Sequence, residues 1–202
     1  MKQKVEKTMY GYIQNLLAYN CMPTLLKMKP STILNIQKRQ EKAEVFFHLL
    51  QREIAHFGCE YEYILETKTS HIILIYQAEM LQSQLENKDC ENILASFGYY
   101  LGERKIEDAL IRLKERYHRY MMERKDFPDE IGIFFGYPIE DVKAYIENNG
   151  KNYKRCGFWK VYCNVERAEQ TFHVFRCVRE AAVQAISTGR ALTELEGNYQ
   201  IA

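Results

Sequence analysis

YEYILETKTSHIILIYQ, residues 61–77, decides the fold class. Its two halves, YEYILET and HIILIYQ, are rich in β-branched and aromatic residues, the types that pack well on a pleated surface. Lys68, Thr69 and Ser70 separate them, a spacing that predicts a β-hairpin. In the second half the apolar run Ile72–Ile75 is unbroken rather than alternating. Such a run predicts a strand buried on both faces.

Helical signals lie to either side. Residues 2–19 place Val5, Met9, Tyr12, Ile13 and Leu16 at the spacing of one helical face, and Pro23 ends that pattern. Residues 23–36, interrupted by Pro30, predict one or two short strands, and residues 39–57 a helix stopped by Gly58. Beyond the hairpin, helices are expected at about 78–87, 90–97 and 103–123. The last has an apolar stripe through Ile106, Ala109, Leu110, Leu113, Tyr117 and Met121, and its mixed-charge face reads as solvated. Pro128 and Pro138 suit first turns of helices, with Asp129, Glu130, Glu140 and Asp141 complementing the helix dipole. Gly136 and Gly150 suit the C-terminal caps. Residues 157–163 alternate as a strand. Residues 165–188 form a long helix stopped by Gly189, with Phe172, Phe175, Val178 and Ala182 inward, and the tail adds a helical turn. The expected architecture is a helix-rich α+β fold with a small mixed or antiparallel sheet of three to five strands covered by helices. One domain spans residues 1–202, with about 78–150 as a helical insertion or subdomain.

The chain has 202 residues, 47% of them hydrophobic, a size that supports a large core without disulfides or metals. Its net charge of +1 argues against a polyanion binder, so nucleic acid is not expected as a partner. No window approaches the roughly 18 apolar residues of a membrane span, and the N-terminus lacks the apolar core of a signal peptide. The six cysteines form no CxxC pair and read as reduced thiols in a cytoplasmic protein.

Candidate chemistry concentrates in FPDEIGIFFGYPIEDVKAYIENNGKNYKRCGFWKVY, residues 127–162. Cys156 lies among Lys151, Lys154, Arg155 and Lys160, with no acidic residue between 151 and 160. Nearby cations favour the thiolate, the reactive form, and Gly157 is expected to leave the thiol uncrowded. Against this stands an inert cysteine at the start of a strand. Tyr153, Phe158, Trp159 and Tyr162 interleave with the cations, a composition that can stack a planar group while Lys and Arg hold its anion. Plain strand alternation, with Phe158 and Lys160 on one face and Trp159 and Val161 on the other, explains the same pattern.

Other signals are weaker. Neither GxGxxG nor GxxxxGK[ST] occurs, so the standard phosphate loops are absent. His56 and Cys59 lack a second ligand pair, and no metal site is expected. Asp126, Asp129 and Glu130 could form a carboxylate site, but helix-start electrostatics account for Asp129 and Glu130.

CMPTLLKMKPSTIL (21–34), the 127–162 block and STGRALTEL (187–195) resemble a bacterial family catalogued as domain of unknown function 3793. The resemblance covers nearly the whole chain and is most specific in the central block. Similar chains tend to carry a histidine at the position of Asp129 and a second cysteine at that of Arg155. The resemblance implies no established activity or cofactor; it is compatible with an accessory role in redox or iron homeostasis.

The expected function is a binding or adaptor module for a small anionic molecule, cofactor or protein partner. Its expected ligand residues are Lys151, Tyr153, Lys154, Arg155, Trp159 and Lys160. The competing expectation is a thiol-dependent enzyme or redox protein using Cys156.

Overall fold

The structure is a computed structural model that describes residues 2–38 and 43–197, with side chains from Glu6 onward. The expected inward Val5 and the expected helix start at 39–42 lie outside these. A three-stranded antiparallel sheet forms the middle layer: β1 (Ser31–Gln37), β2 (Cys59–Glu66) and β3 (Ser70–Gln77), in the order β1-β3-β2. The hairpin expected at 61–77 is β2–β3, closed by Thr67, whose hydroxyl accepts from the backbone N–H groups of Thr69 and Ser70. β3 is the centre strand, and Ile72, Ile73, Leu74 and Ile75 are all buried. Its side chains alternate between two cores, as strand geometry requires.

Ile73 and Ile75 face a core built with α1 (Lys2–Asn20), α2 (Met22–Leu25), α3 (Ala43–Ala55) and α9 (Val165–Ser187). Ile72, Leu74 and Tyr76 face a second core built with α4 (Ala78–Glu86), α5 (Lys88–Ser96), α6 (Lys105–Glu123), α7 (Ile131–Phe134) and α8 (Ile139–Glu147). The chain is therefore α+β in three layers, with helices on both faces of the sheet. A bulge shifts the β2 register between Tyr63 and Leu65. It lets Ile64 and Leu65 both enter the second core, whereas unbroken pleating would send one of them to the opposite face.

Local sequence explains the helix ends. The Asn87 side chain accepts from the N–H groups of Asp89 and Cys90 at the start of α5, and that of Asn164 accepts from Arg167 N–H at the start of α9. Pro23, expected to end the first helix, instead opens the short α2 after a break at Cys21. Gly189 follows α9 with φ +74°, as its expected stop, and Leu192–Leu195 make the turn expected in the tail as a 3-10 helix.

Residues 23–36 give one short strand, within the one or two expected, after the helical turn α2. Two further expectations need correction. The strand expected over 157–163 is two short ones, β4 (Arg155–Cys156) and β5 (Lys160–Val161), paired antiparallel about a turn at Gly157–Trp159. Aromatic packing against α9 decides this outcome, because Phe158 and Trp159 both turn toward Phe172 rather than alternating. Lastly, Asp129 and Glu130 do not lie inside a helix, since α7 begins at Ile131.

The Glu130 carboxylate is fully buried and accepts two parallel bonds from the Arg116 guanidinium, at 2.7 and 2.9 Å. Tyr99 donates a third at 2.9 Å. The Arg116 guanidinium also lies 4.8 Å from the centre of the Phe97 ring. This geometry ties α6 to the segment that enters α7. Arg116→Met leaves an uncompensated buried charge and should cost about 3–5 kcal/mol in denaturant unfolding. Adding Glu130→Gln should recover part of that loss. A single Arg116→Met variant within about 1 kcal/mol of the parent would show that the pair does not hold this junction.

Candidate functional site

Asp141 organises the 149–163 region. Pro138 caps α8 and places Asp141 in its first turn, with its side chain buried. Its Oδ1 accepts from the backbone N–H groups of Tyr162 (2.8 Å) and Cys163 (3.0 Å), and its Oδ2 accepts from Trp159 Nε1–H (2.8 Å). The acidic helix start expected to complement a dipole therefore also pins the β4–β5 hairpin. Trp159 stacks on Tyr137 at 5.1 Å between ring centres and meets Phe172 edge-on at 4.5 Å. Tyr137 donates its hydroxyl to the carbonyl of Phe158. Gly157 is needed for close approach: a Cβ there would stand 2.1 Å from the Phe172 ring. The Cys156 thiol that Gly157 is expected to leave uncrowded is exposed; the space beside Gly157 itself is filled by the Phe172 ring.

The residues expected to bind a ligand are distributed as follows. Lys151, Tyr153, Lys154, Arg155 and Cys156 are exposed. Arg155 is ion-paired with Glu169. Lys160 is half-buried; its Nζ donates to the carbonyl of Gly150 at 2.8 Å and lies 5.0 and 5.5 Å from the ring centres of Tyr153 and Tyr145. Trp159 is half-buried between Tyr137 and Phe172. Cys156, Trp159 and Lys160 do share one cavity of about 300 Å³, which Asp129, Tyr145 and Phe135 also line. Lys151, Tyr153, Lys154 and Arg155 do not line it. Burial raises the Asp129 carboxyl above its ordinary range, and the Glu130 charge adds to this.

A cysteine–histidine contact occurs elsewhere. Cys177 Sγ and His173 Nε2 lie 3.5 Å apart, one turn from each other on α9. All six cysteines are free. Cys21, Cys59 and Cys90 are buried, while Cys163 is exposed and Cys177 intermediate. Among the described residues no three His, Cys, Asp or Glu side chains group as a metal ion would require.

Two further residues stand out in a second cavity of about 310 Å³. Lys29, between α2 and β1, and Arg179, on α9, both line it, together with Thr32 and Tyr19. Phe135, Tyr137 and Phe158 separate this cavity from the first and line both. Lys29 Nζ sits 5.1 Å from the Phe135 ring centre and 5.6 Å from that of Tyr137. Burial pulls its amine down to about 8, with the Cys21 thiol acting weakly in the opposite direction. The backbone around Lys29 is fixed. The ring of Pro30 packs so closely on Gly136 (φ +69°) that a Cβ there would be 2.4 Å from Pro30 Cδ, and Ser31 Oγ donates to the Phe134 carbonyl at 2.6 Å.

Sequence reading missed Lys29 and Arg179 because they come from opposite ends of the chain and neither sits in a motif. The available signal was a lysine beside Pro30 in a conspicuously apolar stretch.

A third recess of about 280 Å³ lies between α1, α3 and β1, walled by Phe46 and Phe47. His71 lines it with a buried Nδ1 that has no hydrogen-bond partner among the described residues, and burial lowers the imidazole pKa.

These features define a three-layer α+β protein in which one aromatic wall, braced by a hairpin, separates two small-molecule-sized cavities. The chain belongs to the family described as protein of unknown function (DUF3793), whose model matches residues 17–196. No curated protein and no solved structure gives a significant match. No helix among the described residues is long and apolar enough to cross a membrane.

Asp141→Asn tests the brace. An amide whose oxygen keeps the two backbone donors turns its NH₂ toward Trp159 Nε1–H, placing donor against donor. The variant should lose about 2 kcal/mol of stability and shift the emission of Trp159, the sole tryptophan. Unchanged emission together with unchanged stability would show that the hairpin is held without Asp141.

Proposed function

We propose that the protein is a cytosolic binding module for a small, planar, anionic molecule, and that the Lys29–Arg179 cavity is its site. One observation carries this reading: two cationic side chains line an aromatic-walled cavity, and neither has a carboxylate partner within ion-pair distance among the described residues. Buried or half-buried cations are normally paired. A cavity that keeps both unpaired, with Lys29 against ring faces, offers an incoming anion two charge-assisted contacts and a stacking surface. In this reading the ligand sits across the Phe158 wall from the expected residues Lys151, Tyr153, Lys154, Arg155, Trp159 and Lys160. A role in redox or iron homeostasis belongs to this reading only through the nature of the ligand, such as a flavin or another planar cofactor.

Cys156 gives a second reading. It lines the neighbouring cavity beside Trp159 and Asp129, so a thiol-dependent reaction on a molecule held there is compatible with the geometry. Selective alkylation of Cys156 over Cys163, which is also exposed, would support it. Equal rates would count against it.

The anion reading has a defined pH dependence. The groups facing Lys29 are Arg179, Tyr137, whose phenol burial pushes up to about 12, and Cys21, whose thiol burial also pushes up. Lys29 is the group among them that loses positive charge near pH 8. Affinity for an anion should therefore be full below pH 8 and fall as pH rises through it. Calorimetric titration with flavin mononucleotide and with pyridoxine 5′-phosphate should show binding of at least one. Lys29→Met and Arg179→Leu should each weaken that binding about tenfold or more. If neither probe binds at millimolar concentration, or if binding ignores both substitutions, the assignment fails.

A further inference from the structure

We propose that Lys29 is a reactive amine that forms a reversible imine with the carbonyl group of an anionic aldehyde or ketone, whose charge Arg179 holds. This rests on the reading of the same cavity as an anion site.

The geometry supplies what an imine-forming lysine needs. Lysines used for such chemistry sit in apolar surroundings and lack a carboxylate that would fix the ammonium form. Lys29 Nζ meets the faces of Phe135 and Tyr137 and has no salt-bridge or hydrogen-bond partner among the described residues. The cavity is large enough for a small aromatic or oxo-acid molecule beside the amine. Pro30 against Gly136 and Ser31 bonded to Phe134 fix the backbone from which Lys29 projects, so its position is set before a ligand arrives. Arg179 comes from α9, a different element, and lines the same cavity, so a second group can orient the ligand while the amine reacts.

The chemistry balances without any further reagent. The lone pair of the neutral amine adds to the carbonyl carbon, and the C=O π pair moves to oxygen, which takes up a proton. The carbinolamine then loses that oxygen as water and leaves C=N. The net change is amine plus carbonyl to imine plus water. The imine nitrogen can be protonated, which keeps a cation against the ring faces that favour one.

Burial independently supports a neutral fraction. An amine lowered to about 8 is neutral at pH 7.5 on the order of 100-fold more often than an ordinary lysine near 10.4. Lower basicity also lowers intrinsic nucleophilicity, so the rate advantage is smaller than the population advantage.

The test uses the full-length parent protein, pyridoxal 5′-phosphate as probe and sodium borohydride to trap the imine, with peptide mapping of the labelled lysines. At pH 7.5, Lys29 should be labelled about tenfold or more faster than the exposed Lys151 and Lys154. Excess pyridoxine 5′-phosphate, which has no aldehyde, should protect it. Lys29→Arg, which keeps the charge, should remove the fast phase and leave the slow surface labelling. Labelling of Lys29 no faster than Lys151 and Lys154 overturns the proposal. If pyridoxine 5′-phosphate still binds through Lys29 and Arg179 in that case, the anion-binding reading stands and the imine chemistry alone is wrong. Fast labelling that pyridoxine 5′-phosphate does not prevent would instead separate the reactive amine from the anion site and overturn the role given to Arg179.

Discussion

The double burial of β3 is the constraint on which the rest of the structure depends. A strand with Ile72, Ile73, Leu74 and Ile75 all removed from water needs an apolar layer on each face. The chain supplies one layer from its two ends and the other from its middle. α1, α2, α3 and α9 cover Ile73 and Ile75, while α4–α8 cover Ile72 and Leu74. Because β1 and β2 both pair with β3, the centre strand also sets their register. The placement of Lys29 follows from this. It precedes β1, whose pairing with β3 fixes Ser31 opposite Tyr76, and it is carried against the end of α7 and the turn that follows it.

Two buried carboxylates then specify how the second helical layer meets the first. Glu130, with Arg116 and Tyr99, fixes the entry to α7 inside that layer. Asp141 reaches outward from α8 to the β4–β5 hairpin, which rests on Phe172 of α9 in the opposite layer. Each carboxylate accepts at least three hydrogen bonds, the condition under which burying its charge is tolerable. Hydrophobic packing alone would allow neighbouring helices to slide. Directional bonds to a carboxylate narrow that freedom, and the aromatic wall of Phe135, Tyr137 and Phe158 stands where the two layers are joined in this way.

The sequence made the local parts legible. The hairpin at 61–77, the doubly buried strand, the long helices and the stops at Gly58 and Gly189 follow from periodicity and backbone chemistry, which act over a few residues. The 127–162 block reads as rich in candidate chemistry, but the partners that give its parts their roles lie outside it. Phe158 and Trp159 read as strand residues because Trp159 and Val161 flank Lys160. Only the position of Phe172, on a distant helix, turns them into a corner. Charge was harder still. Arg155 reads as part of a cationic cluster until Glu169 is found beside it, and Lys160 until the Gly150 carbonyl accepts from it. Lys29 stands out only once the fold brings the Phe135 and Tyr137 rings to it.

That contrast bears on where function resides in a nearly neutral protein. In the 151–160 run Arg155 is matched by Glu169 and Lys160 by the Gly150 carbonyl, while Lys151 and Lys154 stand in solvent, where charge contacts are weakened by screening. Lys29 and Arg179 are fewer but less well satisfied. Desolvation lowers the Lys29 amine to about 8, which means that the fold carries a free-energy cost for the ammonium at neutral pH. With an unfolded value near 10.4, that cost is full below pH 8 and relieved as pH rises from there to the unfolded value. Stability alone would favour replacing this lysine with an apolar residue. A position where folding tolerates an unpaired charge, against rings and beside an open cavity, is a position where an arriving anion or an amine reaction can recover the cost.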